Sequence, residues 1–492
     1  MTYRVAIVGT GFAGLGMAAR LKRSGVDSFV VLERADDVGG TWRDNTYPGA
    51  ACDVPSHLYS LSFRLNPDWS RVYAPQPEIH AYLRRTASEE GLTPHLRLGE
   101  DVLDAVWDGD AWEITTSAGN YRAAVLVTAT GHLCDPKLPD IPGLGSFGGR
   151  MFHSARWDHS APIDGGRVGV IGSGASGVQI VPQIVDAATH VTVFQRSAPY
   201  LVPRPDRAYS PAERGMFRRL PEMMRDLREE FFWSGESRFP QRRMVDAFLA
   251  QIETVALGHL AAQVPDPALR AVLTPDYTIG CKRILVSSDY YPAVSRDDVS
   301  VETAPIRRVT ATGVQTADGH VPLDVLVLAT GFEASDLPIS HRIRGRGGVR
   351  LSERWADGEQ ALACTAIHGY PNLFVLNGPN SGLGAGSVVY MIESQIEYVM
   401  GALSHMASEQ LSTLEATAEA EEAFAADLER RSQGTVWLEG GCSSWYVDPR
   451  NGRLTTIWPD FMSRFRAENG TFTPAGYATT PGATSPLGLT TA

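Results

Sequence analysis

The same six-residue array occurs twice in this chain, and it restricts the fold more than anything else in the sequence. GTGFAG at 9–14 and GSGASG at 172–177 both read G-x-G-x-x-G. Before the first array lies the apolar run 3–8 (YRVAIV), of the kind that forms a buried parallel strand. After it a helical pattern runs to Arg23 and stops at Gly25, a C-terminal cap. A second strand, 29–32, ends on Glu33. Gly9 permits the tight turn, Gly11 lets the backbone approach a pyrophosphate at the helix N-terminus, and Gly14 lets helix and strand pack closely; Phe12 lies inside the turn. Glu33 falls about 20 residues beyond the glycines, where a carboxylate accepts hydrogen bonds from an adenosine ribose.

The second array repeats the arrangement: a strand at 167–171, then Gly172, Gly174, Ser176 and Gly177, a helix to about 187 and a strand at 190–194. That strand ends in FQRS, so Arg196 and Ser197 stand where the first unit has an acid. A cation there suits a 2′-phosphate, as an acid suits a free ribose hydroxyl. The expected fold class is therefore α/β, with two Rossmann-like dinucleotide-binding domains.

The rest of the chain fills in around these units. A length of 492 residues predicts about three domains. Residues 39–53 are rich in turn formers and read as a loop without helix. Residues 79–90 have helical spacing, and 102–107, 112–116 and 123–127 read as strands. The Pro-rich stretch 136–142 marks a domain crossing. Residues 203–278 break the alternation and form a helical insertion, with FFW at 231–233 and MVDAFLAQI at 244–252 as its apolar cores. Further apolar strands lie at 324–332 and 373–376, and a helix at 388–406. The end, from about 471, lacks periodicity and reads as a flexible tail.

Composition excludes several classes. The net charge is −12 with no basic block, which argues against a nucleic-acid partner. The cysteines, Cys52, Cys134, Cys281, Cys364 and Cys442, are few, odd in number and widely spaced, with no C-x-x-C pair. That pattern disfavours a disulfide framework, a zinc site or a redox-active dithiol. A strand beginning by Tyr3 leaves no room for a signal peptide, and no apolar run approaches membrane-spanning length. The expectation is a reduced, soluble, cytoplasmic protein with no membrane partner.

Between the two units runs FGGRMFHSARWD, 147–158, which reads F-x-G-x-x-x-H-x-x-x-W-D through Phe147, Gly149, His153, Trp157 and Asp158. This segment resembles the fingerprint of the type I Baeyer–Villiger monooxygenases. Related flavin monooxygenases that oxidise nitrogen or sulfur have another pair in place of Trp157-Asp158. The resemblance covers about 5–465 and implies a glutathione-reductase-like flavoprotein fold with a helical insertion. Its implied domains are 1–145 and 356–470 for FAD, 146–204 and 281–355 for NADPH, the insertion 205–280 and the tail 471–492.

The resemblance also implies roles for single residues. GGTW (Gly40, Thr41, Trp42) and YPGAACD resemble flavin-contacting loops, which places FAD at the first site and Asp53 close to its ring. CKRILVSSDYY, 281–291, resembles an element in which Arg283 is the active-site arginine and Lys282 joins Arg196 and Ser197 at the NADPH 2′-phosphate. NGPNSGLGAG, 377–386, with Asn380, resembles a loop passing the flavin, and CSSWY resembles a mobile element whose Trp445 touches the nicotinamide. The continuation VDPRNGR, 447–453, departs from the Gly/Asn/Pro-rich pattern of better-known members. His153 and Trp157 enter as residues that coordinate the two domains during catalysis.

The implied activity is insertion of one oxygen atom of O2 beside a ketone carbonyl, giving an ester or lactone through a C4a-peroxyflavin. The implied partners are a small-molecule ketone and O2, in a monomer or weak homo-oligomer. Three alternatives stand beside this: a heteroatom-oxidising flavin monooxygenase, a disulfide reductase, and a non-catalytic flavin redox sensor.

Overall fold

The computed structural model describes residues 1–482. Two parallel sheets grow from the two Gly-rich units. In the first, Thr2–Val8 lies between Phe29–Glu33 and Asn120–Thr128, parallel to both, with Val5 facing Phe29 on one side and Val125 on the other. Val5, Ala6 and Ile7 are all inaccessible to solvent, as expected of a strand covered on both faces. Leu96–Leu98 extends this sheet at one edge, and the antiparallel meander Val102–Trp107, Trp112–Thr116, Asn120–Thr128 extends it at the other. The second sheet is parallel throughout, in the order Val299–Glu302, His190–Phe194, Arg167–Ile171, Val325–Leu328, Arg150–His153. The fingerprint segment thus supplies an edge strand of the second sheet.

The glycine spacing acts through close approach. Gly9 has φ +105°, and a Cβ there would stand 2.7 Å from the Ala129 carbonyl oxygen, while a Cβ on Gly14 would overlap the Gly9 carbonyl. The helix Phe12–Arg23 therefore sits directly on its strand, and Gly172 and Gly177 repeat the same contact before the helix Ala175–Ile184. The long helix Val388–Ser408 crosses the first helix, with Ile396 against Gly16.

The insertion joins the two halves. Its helix Pro211–Arg219 opens with a capping box, in which Ser210 Oγ accepts from the Glu213 amide and Glu213 accepts from the Ser210 amide. Phe217 of that helix and Met224 of Pro221–Glu236 enter the first domain's core. Leu260 of Asp246–Gln263 and Leu273 enter the second domain's core.

Four expectations are corrected. The stretch 39–53 contains a short helix, Thr41–Asp44, because Gly40 at φ +53° turns the chain into it. The chain returns to the first domain before 355: Leu337, Ile339, Ile343 and Trp355 lie in the core of the first sheet, and Ile343–Arg344 pairs with Val102–Trp107. The tail is ordered as far as it is described. Tyr477–Pro481 pairs with Leu411–Ala416, and the hydroxyls of Tyr477 and Tyr398 share a hydrogen bond of 2.7 Å; residues 483–492 lie outside the described part. The cysteines are not all unpaired, since Cys281 and Cys442 form a disulfide across 161 residues. No described helix is long and apolar enough to cross a membrane.

Candidate active site

A cavity of about 400 Å³ begins at the first Gly-rich turn, passes Glu33 and Trp42 and ends against Asp53, Arg283 and Trp445. Gly11 faces open space, with no atom within 4 Å of where a Cβ would be. Gly9 and Phe12 line the same wall. Backbone, not side chain, forms this end of the cavity, which is what a pyrophosphate at a helix N-terminus requires. Glu33 is buried and already oriented: the Thr10 amide and hydroxyl donate to Oε2 at 3.0 and 2.6 Å, and the Ala35 amide donates to Oε1 at 3.0 Å. Arg43 pairs with Oε1 at 3.0 Å. From the next loop, a Cβ on Gly40 would stand 3.3 Å from Gly11 Cα, Thr41 lines the cavity, and Trp42 Nε1 donates to the Tyr59 hydroxyl at 3.2 Å.

At the far end Arg283 and Asp53 meet across 230 residues. Nε donates to Oδ2 at 2.7 Å and Nη2 to Oδ1 at 2.8 Å, a bidentate fork. The Asp53 charge holds the Arg283 pKa above its ordinary value against the effect of burial. For Asp53, burial acts to raise the pKa, but the Arg283 charge and hydrogen bond outweigh it, and the carboxyl lies below the usual range. The pair is therefore fully ionised at neutral pH. Arg204, at the start of the insertion, donates to the Cys52 carbonyl at 3.1 Å and holds this loop from the other side.

The second turn repeats the open wall, since Gly174 also has nothing within 4 Å of a Cβ. The helix after Gly174 begins at Ala175 and carries Ser176 and Gly177 in its first turn, and Ala175 and Gln179 reach the cavity. Gln179 Nε2 donates to the Ala51 carbonyl at 3.0 Å, and its Oε1 accepts from the Tyr47 hydroxyl at 3.0 Å. Beyond the ribose strand, Lys282 Nζ donates to Ser197 Oγ at 2.6 Å and lies 4.6 Å from the centre of the Tyr277 ring. Burial, and then the charge of Arg196, lower the Lys282 pKa. Lys282 and Ser197 thus meet beyond the ribose strand, with the Arg196 charge near enough to act on the lysine.

Some residues expected in the site are elsewhere. His153 does not line the cavity: it is buried, its Nδ1 accepts from the Ala155 amide at 3.1 Å, and its ring meets Phe332 edge-on. Trp157 is packed into the second domain's core, edge-on to Phe152 at 5.0 Å. Neither touches the reacting end, so neither is placed as a catalytic residue. Their segment does reach the first domain, through Arg156–Asp44 at 3.4 Å and His159 Nε2–Thr46 Oγ1 at 3.0 Å. Asn380 is also misassigned: its Nδ2 donates to the carbonyls of Leu454 and Ile457, at 2.6 and 3.1 Å, and Asn377 lines the cavity instead. Both asparagines lie in one Gly-rich loop at φ +52°, and spacing alone does not tell them apart. His132, another cavity residue, is held between the Ala334 and Gly378 carbonyls and carried no sequence signal.

Residues 6–224 match the family model described as pyridine nucleotide-disulphide oxidoreductase. A Streptomyces coelicolor protein named Baeyer-Villiger monooxygenase is 46% identical over 480 residues, which is 94% of this chain and 90% of that protein. The structure of a steroid monooxygenase bound to NADP matches with a TM-score of 0.85 at 31% identity, over 98% of this chain and 100% of that one. The OTEMO complex with FAD and NADP matches with a TM-score of 0.84 at 27% identity, over 97% of this chain and 99% of that one.

Proposed function

Because the chain belongs to the Baeyer–Villiger monooxygenases, NADPH-dependent flavin enzymes, we propose that it inserts one oxygen atom of O2 beside the carbonyl of a small ketone, giving an ester or lactone. The observation that carries this reading is the Arg283–Asp53 fork, which closes the far end of a cavity whose near end is a dinucleotide turn.

The residues fit the two cofactors. Gly9, Gly11 and Phe12 form the pyrophosphate wall for FAD, and Glu33 receives the ribose. Gly40, Thr41 and Trp42 flank the FAD chain, and Asp53 and Asn377 lie near its reactive end. For NADPH, the turn with Gly172, Gly174, Ser176 and Gly177 takes the pyrophosphate, Arg196, Ser197 and Lys282 take the 2′-phosphate, and Trp445 borders the nicotinamide. When bound, the flavin accepts hydride from NADPH and activates O2, chemistry that no side chain supplies.

The side chains supply charge and position. Attack on a ketone carbonyl builds negative charge on its oxygen, and Arg283 provides a permanent cation whose orientation is set in advance. Asp53 occupies Nε and one hydrogen of Nη2, and so sets the plane in which the guanidinium lies. The test is a panel of cyclic, linear and aryl ketones with NADPH, read by mass spectrometry for the gain of one oxygen, with an amine and a sulfide alongside. Oxygen gain by the amine or sulfide, and by no ketone, would replace this reading with heteroatom oxidation. The Cys281–Cys442 pair does not revive a disulfide reductase, because neither cysteine lines the cavity.

A further inference from the structure

The Cys281–Cys442 bond ties together the two stretches that face the reacting end. Cys281 is followed by Lys282 and Arg283, and Cys442 stands three residues before Trp445 and four before Tyr446. The second stretch is otherwise weakly attached. Among the described residues, the hydrogen bonds of 441–445 run only to the two residues that follow it: the amides of Tyr446 and Val447 donate to Ser444 Oγ and to the Ser444 carbonyl, each at 3.3 Å. Its flanks are firm. Upstream, Trp437 is buried and the Gly440 carbonyl accepts from the Thr278 amide at 2.9 Å; downstream, Tyr446 and Asp448 are buried. Between these anchors, among the described residues, the disulfide is the one covalent tie to a stretch distant in sequence.

The packing agrees. A Cβ on Gly440 would stand 2.7 Å from Cys281 Cβ and 3.0 Å from its sulfur, so the backbone passes the bond as closely as glycine allows. The segment delivers Trp445, 43% exposed, to the wall of the cavity that also holds Arg283 and Asp53. Tyr446 packs 4.7 Å from Trp445, and its buried hydroxyl lies under the influence of the Arg283 and Arg242 charges. Cys281 is fully buried and Cys442 partly open, so a thiol reaches the bond from the Cys442 side.

We propose that the Cys281–Cys442 bond is a thiol-sensitive clamp on the oxygenating site: intact, it holds Trp445 on the cavity wall, and its reduction frees 441–445 and uncouples NADPH consumption from oxygen transfer. This rests on the reading of Arg283 and Trp445 as parts of the reacting end. The reductant is a dithiol. Its thiolate attacks Cys442 Sγ, the S–S bond breaks, and Cys281 leaves as a thiolate that takes up a proton. The second thiol of the reductant then displaces Cys442, so the protein gains two electrons and two protons and the dithiol becomes a cyclic disulfide.

The test compares air-purified enzyme, enzyme reduced with dithiothreitol and desalted, and the double variant Cys281→Ser/Cys442→Ser. Alkylation under denaturing conditions, read by peptide mass, reports the bond. Chymotryptic cleavage after Trp445 reports release of the segment, and ester formed per NADPH reports coupling. Reduction is expected to expose two further thiols, at Cys281 and Cys442. It should speed cleavage after Trp445 by about tenfold or more, as for a segment that opens locally. It should also lower ester per NADPH by about fivefold or more, as for a mispositioned reacting group. The double variant should match the reduced enzyme and ignore dithiothreitol; if it does not fold, the reduced wild type stands as the test. Free thiols at both positions in air-purified enzyme, or an unchanged cleavage rate after reduction, would overturn the clamp. Faster cleavage with unchanged coupling would overturn its link to oxygenation. If no ketone is oxygenated at all, the cleavage arm still decides the clamp while the proposed activity fails separately.

Discussion

Arg283 does its work through the shape of its side chain as well as its charge. A guanidinium matches a carboxylate with two parallel hydrogen bonds, and lysine, a point charge on a flexible stem, does not. Arg283→Ala should still bind FAD and consume NADPH but lose two to three decades of ester formation, about 3–4 kcal/mol of preorganised stabilisation. Arg283→Lys should fall between the two, and Asp53→Asn should show a milder loss because it loosens the fork without removing the cation. Stopped-flow reduction beside ester and peroxide assays measures this, and near-normal ester from Arg283→Ala would remove the residue from the mechanism. The same logic separates the cofactors at Arg196. It sits exposed at the end of the ribose strand, next to Ser197, which accepts from Lys282. Arg196→Ala should weaken NADPH binding about ten- to a hundredfold, the value of one charge-assisted contact, and leave NADH binding nearly unchanged. Equal weakening of both would contradict the assignment.

At the scale of an element, a buried cation helps hold the insertion on the first domain. Arg228, on the helix Pro221–Glu236, donates from Nη1 to the carbonyls of His57, Leu58 and Ser60 at 3.0, 2.9 and 2.7 Å. Its Nη2 pairs with Glu393 of Val388–Ser408 at 2.9 Å, with side-chain exposures of 13% and 7%. Burial of such a pair is costly, yet removing one member costs more, because it strands the other charge and the three carbonyls. Arg228→Met should destabilise the fold by about 3–5 kcal/mol, seen as a lower melting temperature and faster proteolysis within the helices of the insertion. An unchanged melting curve would mean that apolar packing of Phe217 and Met224 holds the insertion without help. The pattern at 203–278 made the helices legible, since they follow from local spacing. Their docking was not, because Arg228 finds its partners 165–171 residues away.

At the scale of the whole molecule, two buried groups shape stability against pH in opposite senses. His57 lies between the Tyr209 and Phe217 rings, and burial, then the Arg228 charge, push its pKa down to about 4. Its folded value is below its unfolded one, so the unfolded chain binds the extra proton, and stability rises with pH from about 4 to about 6.5. Glu359 is 2% exposed, neither oxygen has a hydrogen-bond partner, and burial raises its pKa to about 8 despite Arg450. There the folded chain binds the extra proton, so stability falls as pH rises from about 4.5 to 8. Together the two give a plateau between about 4.5 and 6.5 and a decline above it. Glu359→Gln should raise the melting temperature more at pH 8.5 than at pH 5.5; equal gains at both would show that Glu359 does not titrate in that window. By itself the sequence determined the two strand–turn–helix units, the acid at Glu33 and the cation at Arg196, because those depend on turn sterics and on side-chain periodicity within some 30 residues. The resemblance implied that Asp53 lies beside Arg283, whereas tertiary structure alone decided that Asn377 and not Asn380 faces the cavity, that His153 and Trp157 pack away from it, and that Cys281 finds Cys442. Each of those is a contact between segments whose separation along the chain says nothing of their distance in space, and it is set by how helices and sheets dock.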